Sequence, residues 1–250
     1  MGLPVFLADF AGALPAPGDS VVVDGPEGRH AVASRRTQPG DTVYLTDGED
    51  RRVLATVSAV EGKSSLVAQV RSAELVERPF PHVTVVQALP KSERSELAVD
   101  LAVEAGADAI VPWSARNCIA RWTGPKAGKG REKWAATSRE TAKQARRSWI
   151  PPVAELHSTS QVADLIASAD GAMVLHEAAT DSFETVLRGF GEPKNLIFIV
   201  GPEGGVSDEE IEIFTAAGAR PVVLGPTVLR TSAAAAVALG ALGPLTGRWA

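Results

Sequence analysis

The sequence predicts an α/β protein in two parts: a small β-rich barrel, then a mostly parallel sheet covered by helices on both faces. Three observations point there. The first 75 or so residues carry short valine- and leucine-rich runs separated by turn signals. Beyond Arg78-Pro79-Phe80-Pro81, strand-like and helix-like segments alternate, as in βαβ units. Near the C-terminus, two glycine-bearing loops, close in sequence, each follow an apolar run that reads as a buried strand and each lead into a helix. At 250 residues and 45% hydrophobic, the chain has enough apolar material for a sizeable core.

In order, Ser20 to Asp24, Thr42 to Asp47, Arg52 to Val60 and Ser65 to Val76 read as strands, set apart by Pro39-Gly40-Asp41, Asp47-Gly48 and Glu61-Gly62. A short helix fits His30 to Arg36. The two prolines of Arg78 to Pro81 disfavour helix and remove ladder donors, which marks a linker and places the domains at 1–76 and 77–250. Val83 to Leu89 is then a strand, and Ser92 to Ala105 a helix with Leu97, Leu101 and Ala105 on one face. Ala109 to Trp113 is a strand. A long helix runs from about Arg131 to Trp149, stopped by Pro151-Pro152. Ala154 to His157 reads as a short strand and Gln161 to Ser168 as a short helix. Ala172 to His176, Leu196 to Val200 and Pro221 to Leu224 are further strands. Ser207 and Glu210 have the S-x-x-E spacing of a capping box, so a helix starts there. Thr231 to Leu242 is an alanine-rich last helix.

Composition excludes several classes. Cys118 is the single cysteine, so no internal disulfide or cysteine-based zinc site forms, which suits a reducing cytoplasm. His30, His82, His157 and His176 are scattered and give no metal-ligand spacing; no metal is expected. The nearly apolar stretch Ala233 to Leu245 is too short to span a bilayer, and Met1 to Phe6 lacks a basic flank and meets Asp9 early, unlike a signal peptide. The net charge of −5 is segregated: Arg116 to Arg147 holds ten basic residues against two acidic ones, a net +8, leaving −13 on the other 218 residues. Such segregation is either a nucleic-acid footprint or a solvated helix face.

The chemistry gathers in the two loops. In Gly201-Pro202-Glu203-Gly204-Gly205, glycine allows close backbone approach and positive φ, Pro202 stiffens the turn, and Glu203 is an acceptor for a ribose hydroxyl or a cation. Without a ligand the same string is a tight strand-to-helix turn. It is neither a P-loop nor G-x-G-x-x-G, which disfavours a nucleotide-binding oxidoreductase. Leu224-Gly225-Pro226-Thr227-Val228-Leu229-Arg230-Thr231 is rigid and largely apolar, suited to an adenine-like ring, and Arg230 ends it with a fixed positive charge or pairs with a nearby acid. His176, at another strand end, touches a ligand or only ends the strand; its backbone is the better contact.

At these residues the chain resembles the RsmE family, 16S ribosomal RNA (uracil-N3)-methyltransferases of the SPOUT superfamily. The resemblance rests on Ile199-Val200-Gly-Pro-Glu-Gly-Gly-Val-Ser-Asp-Glu-Glu210 and Leu224-Gly-Pro-Thr-Val-Leu-Arg-Thr231. It extends upstream through Leu89-Pro-Lys91-Ser-Glu-Arg94, Glu104-Ala-Gly106, Ile110-Val-Pro112-Trp and Arg116, and through Arg139-Glu-Thr-Ala-Lys-Gln144-Ala-Arg146-Arg147. His30, Arg36 and Gly40-Asp41 fall at the spacing of the family's PUA-like RNA-binding domain. Two departures stand out: Leu3-Pro4-Val5-Phe6 lacks the usual arginine before the first phenylalanine, and Ser232 stands where an acid is frequent.

The resemblance implies a PUA-like β-barrel followed by a SPOUT domain with a C-terminal trefoil knot, acting as a homodimer. Periodicity alone argues against a knot. The resemblance also implies S-adenosyl-L-methionine as cofactor, held around Leu175, His176, Val200, Gly201, Glu203, Gly205, Leu224, Gly225, Leu229 and Arg230. The expected substrate is uracil N3 of uridine 1498, in family terms, of 16S rRNA in the 30S subunit. Arg230 would act electrostatically and Glu203 is a second catalytic candidate. Arg35, Arg36, Arg116, Arg139, Arg146 and Arg147 would bind RNA. The rival readings are a SPOUT enzyme acting on a ribose 2′-hydroxyl and a non-catalytic RNA-binding assembly factor.

Overall fold

Strict alternation of apolar and polar residues builds the N-terminal part. The computed structural model describes residues 2–91 and 94–249. It divides into two compact units, one of Met1–Arg78 with Ala142–Ile150, the other of Pro79–Thr141 with Pro151–Ala250. In the first, β1 (Val5–Leu7), β2 (Ser20–Val23), β3 (Thr42–Thr46), β4 (Arg51–Glu61) and β5 (Ser65–Leu75) form one sheet in the order β1-β3-β4-β5-β2. All neighbours are antiparallel except β1 with β3. Every second residue, among them Val21, Val23, Val43, Leu45, Val53, Ala55, Val57, Leu66, Ala68 and Val70, is buried in one cluster with Phe6 and Phe10. Register shifts at Leu54/Ala55 and Val57/Ala59 bend the two long strands.

The residues Ala142–Ile150 are fastened to this sheet by polar contacts. Lys143, only 6% exposed at its side chain, lies 2.8 Å from Glu27, whose other oxygen accepts from Leu7 N. The Thr46 hydroxyl donates to Ser148 O at 2.5 Å, and Ile150 N donates to Gly48 O at 2.7 Å. These contacts join residues about a hundred positions apart, so sequence periodicity carried no sign of them.

The second unit contains β6 (His82–Ala88), β7 (Ala109–Trp113), β8 (Gly171–Leu175), β9 (Asn195–Val200) and β10 (Arg220–Val222) in one wholly parallel sheet, order β10-β8-β9-β6-β7. Central β9, Asn-Leu-Ile-Phe-Ile-Val, is buried on both faces except at Asn195, as expected for a parallel strand covered by helices. The helices of the chain are α1 (Gly25–Arg29), α2 (Ser95–Glu104), α3 (Pro125–Gln144), α4 (Thr159–Ser168), α5 (Phe183–Gly189), α6 (Asp208–Ala216) and α7 (Thr231–Leu245). The capping box expected at Ser207 forms.

Several expectations need correction. The helix read from His30 to Arg36 is α1 followed by a π-helical turn at His30–Ser34, because Pro26 begins the helix earlier and Arg36 leaves it at φ +56°. The long helix read from Arg131 to Trp149 runs instead from Pro125 to Gln144. Its stop is a C-terminal cap, not Pro151: Arg146 takes φ +57°, Arg147 N bonds Ala142 O at 2.8 Å, and Arg146 N bonds Lys143 O. Helix α2 buries Ala98, Val99, Ala102 and Val103, while Leu97, read on one face with Leu101 and Ala105, is 45% exposed. It packs on α7, whose buried residues include Ala234, Ala235 and Ala238. Ser92 and Glu93, read as its first turn, lie outside the described residues. Ala154 to His157 forms only isolated bridges to β7, at Val153 and His157. Strand β10 ends at Val222, leaving Leu224 in the loop. β1, α1 and α5 are short elements the pattern did not announce.

A buried latch closes the second unit. Arg248, in a final 3₁₀ turn at Gly247–Trp249, has a side chain 5% exposed and pairs with Asp108 at 2.8 Å, itself 6% exposed. It also donates to Pro79 O, Pro81 O and Gly106 O. Trp249 packs over Gly243, where a Cβ would come within 2.1 Å of its ring. At the neighbouring edge, Asp170 accepts from Lys194 N and Asn195 N, and these two bonds hold its carboxyl below the usual range. Arg248→Ala strips a buried carboxylate of its cation, so it should lower unfolding stability by about 3–5 kcal/mol in urea titrations.

Candidate active site

The end of a parallel sheet is where open α/β proteins gather small-ligand contacts, because each strand-to-helix loop emerges on that edge. Here Leu175 is level with Val200 on one side and Val222 on the other. The three following loops therefore rise side by side. With Arg94 and the first turn of α7 they enclose a cleft of about 500 Å³, within the range of small-molecule sites. Leu175, His176, Val200, Gly201, Glu203, Gly205, Leu224, Gly225, Leu229 and Arg230 all line it, so the two sequence-singled loops face a common space.

The glycine loop is shaped by close packing on both sides. A Cβ at Gly201 would lie 2.7 Å from Val206 Cγ2, and one at Gly204 would lie 3.0 Å from Asn117 Cβ. Gly205 has φ +75°, a left-handed conformation that favours glycine. Asn117 Nδ2 donates to both Gly204 O and Gly205 O, at 3.1 and 3.2 Å. The Thr231 hydroxyl donates to Gly201 O at 2.5 Å and accepts from Gln87 Nε2 at 3.2 Å. Glu210, 4% exposed, accepts from Arg116 N, Thr159 Oγ1, Ser207 N and Ser207 Oγ, which binds the start of α6 to the segment after β7 and to α4. A buried carboxylate with four donors is well satisfied.

Charge in the cleft is uneven. Arg230 is exposed, stands at the N-cap of α7 and makes no side-chain hydrogen bond or ion pair to the described residues. Glu203 Oε1 accepts from Lys91 N at 3.2 Å, so this carboxylate holds the segment after β6. His176 is held by its own turn: its N bonds Val222 O and its Nδ1 accepts from Ala178 N. Cys118 is buried, and burial pushes its thiol pKa up, which keeps it un-ionised at neutral pH. Asn117 and Gln87 were not singled out in the sequence, and Arg94 and Thr231 stood there only as members of quoted motifs, with no role. Asn117, Thr231 and Gln87 join residues 30 to 144 positions apart, which no local pattern reports.

The residues expected to bind RNA are dispersed over the chain. In the first unit Arg35, Arg36 and Arg146 are exposed; Arg35 donates to Gln144 Oε1, while Arg147 lies 5.2 Å over the Trp149 ring. In the second unit Arg139 is exposed, whereas Arg116 is engaged with Glu209 at 2.5 Å. Among the described residues no group of three or more His, Cys, Asp or Glu is placed to hold a metal ion, and no helix is long and apolar enough to cross a membrane.

Comparison with known proteins agrees with this geometry. A family model for an RNA methyltransferase domain matches residues 76–243, and one for an RNA methyltransferase PUA domain matches residues 23–71. Ribosomal RNA small subunit methyltransferase E of Mycobacterium bovis is 47% identical over 244 residues, covering 96% of this chain and 92% of that protein. The protein of the same name in Bacillus subtilis is 27% identical, with 88% of each chain covered. A Legionella pneumophila structure, described as a methyltransferase with its bound cofactor SAM, superposes with a TM-score of 0.83 at 26% identity over 98% of both chains. The chain therefore belongs to the RNA methyltransferase family of ribosomal RNA small subunit methyltransferase E, the RsmE family.

Proposed function

We propose that this chain transfers the methyl group of S-adenosylmethionine to N3 of a uridine of 16S ribosomal RNA, uridine 1498 in family terms, in the small ribosomal subunit. The observation that carries the reading is one cleft lined by both a glycine loop and an apolar loop, beside a guanidinium that pairs with none of the described residues. The lining suits an adenosyl group. Leu175, Val200, Leu224 and Leu229 offer apolar surface to a ring, and the bare backbone at Gly201, Gly204 and Gly205 gives hydrogen-bonding groups close access. When bound, the cofactor supplies a methyl group on a positively charged sulfur.

The chain's own residues have the other half of the task. Neutral uracil N3 carries a proton and is a poor nucleophile. Once that proton is lost, negative charge spreads onto the two flanking oxygens. A guanidinium stays protonated at all working pH values, and in a cleft it stabilises such charge far better than in bulk water. That Arg230 lines the cleft at the start of α7 supports this role. Glu203, the second catalytic candidate, also lines the cleft and accepts from Lys91 N.

In this reading residues 1–76 are a PUA-like RNA-binding domain and 77–250 the methyltransferase domain. The arginines Arg35, Arg36, Arg116, Arg139, Arg146 and Arg147 neutralise RNA phosphates, and the exposed Arg116 also pairs with Glu209. The last helix passes through a trefoil knot formed with the strands leading to Leu175, Val200 and Leu224. Two copies form a homodimer in the cytoplasm. The function requires no metal.

The deciding experiment incubates the protein with labelled S-adenosylmethionine and either 30S particles or naked 16S RNA, then maps the modified nucleotide by mass spectrometry. A methyl on uracil N3 supports the reading; one on a ribose 2′-oxygen, or none, rejects it. At saturating cofactor, Arg230→Ala should lower kcat by about 100-fold, and unchanged turnover would remove its electrostatic role. Arg35→Glu combined with Arg146→Glu should weaken RNA binding and flatten its salt dependence, by roughly 0.7 in log–log slope for each lost phosphate contact. Calorimetry should show cofactor affinity unchanged in that variant.

A further inference from the structure

Two guanidiniums, not one, line the cleft. Arg94 lies on its wall together with Arg230. It is half-buried, and its side chain makes no hydrogen bond or ion pair to the described residues. Its backbone is fixed: Arg94 N donates to Lys91 O at 2.9 Å, and Lys91 N donates to Glu203 of the glycine loop at 3.2 Å. Arg94 is thus tied through Lys91 to the loop that carries Glu203. A half-buried arginine without a partner forfeits the compensation that such residues normally find.

We infer that Arg94 is a second substrate-binding cation, which grips one of the two oxygens flanking N3 of the target uracil while Arg230 serves the other. The inference deepens the methyl-transfer reading and rests on it. Sheet order decides between the base and the cofactor as Arg94's ligand. The adenosyl-suited surface lies over the ends of β8, β9 and β10, whereas Arg94 arrives after β6, on the other side of β9. The base has the matching chemistry. The N3 proton leaves to water, and the negative charge is shared by N3 and both carbonyl oxygens. The N3 lone pair then forms the N–C bond as the C–S bond breaks, with that electron pair left on sulfur. No oxidant or reductant is needed. A cation on each side of N3 lowers the cost of the anion without occupying the line of attack.

The test uses the full-length protein with 30S particles, comparing wild type, Arg94→Ala and Arg94→Lys. Because the side chain has no partner among the described residues, melting temperature should be unaltered; Arg94→Lys keeps a charge if the alanine variant fails to fold. Arg94→Ala is expected to lose about 100-fold in kcat, while cofactor Kd measured by calorimetry stays within about twofold of wild type. Its rate profile should move to higher pH by about one unit, because the uracil anion has lost a nearby opposite charge. Placing 5-fluorouridine, with a more acidic N3 proton, at the target position should restore much of the rate. Arg94→Lys should be intermediate. A wild-type pH profile in Arg94→Ala, or a loss confined to cofactor affinity, would overturn the assignment. If wild type places no methyl on N3, the reading beneath it fails instead, so the two failures are distinguishable.

Discussion

The cleft depends on one hydroxyl. Thr231 stands at the start of α7, accepts from Gln87 at the end of β6, and donates to Gly201 O just beyond β9. A central strand, the glycine loop and the last helix therefore meet at one atom. Gln87 is 1% exposed and Thr231 7% exposed, so these bonds are made away from water, where they are electrostatically stronger and costly to leave unmade. Because Arg230 immediately precedes Thr231, whatever fixes the hydroxyl also fixes the backbone that presents the guanidinium. Valine at 231 would keep the shape of the side chain and lose both bonds. The glycine loop would then keep the bonds it makes through Asn117 and Glu203.

Much of the fold was legible because periodicity is a local property. Ala109–Trp113 was read to the residue, and the β3, β4 and β5 boundaries within a residue or two, since alternating valines name their own buried face. What failed had non-local causes. Helix α2 leaves Leu97 exposed and buries Ala98, Val99, Ala102 and Val103 instead, in a helix that packs on the alanine-rich α7. The stop of α3 depends on Arg146 adopting a left-handed conformation, which arginine does not advertise. The two loops were legible as a pair, but their facing one another needed the register of Leu175 with Val200 and Val222. Asn117 was invisible for the same reason: its partners lie 87 and 88 residues away.

The polar groups around the cleft fall into two sets. Glu210, Asn117, Gln87 and Thr231 are spent on backbone and on one another, and they hold walls in place. Arg94 and Arg230 are spent on nothing in the described chain. The distinction matters because a hydrogen-bonded group has little free energy left for a ligand, whereas an unpaired cation in a partly enclosed site keeps nearly all of it. The backbone N–H of Arg116 belongs to the first set, since it goes to Glu210, while the exposed Arg116 side chain pairs with Glu209.

Helix capping shows the same division. Helices α4, α5 and α6 begin at Ser158, Ser182 and Ser207, and each serine hydroxyl accepts a backbone N–H of the first turn. Helices α2 and α7 begin at Arg94 and Arg230, which provide no side-chain cap. Serine, threonine, asparagine or aspartate there would add roughly 1 kcal/mol to each helix. Of the helix starts without a side-chain cap, that of α1 at Asp24 is not part of the lining, while those of α2 and α7 put arginines on it. At those two positions a capping side chain would replace a cleft cation, and local sequence rules are most often broken where function takes precedence.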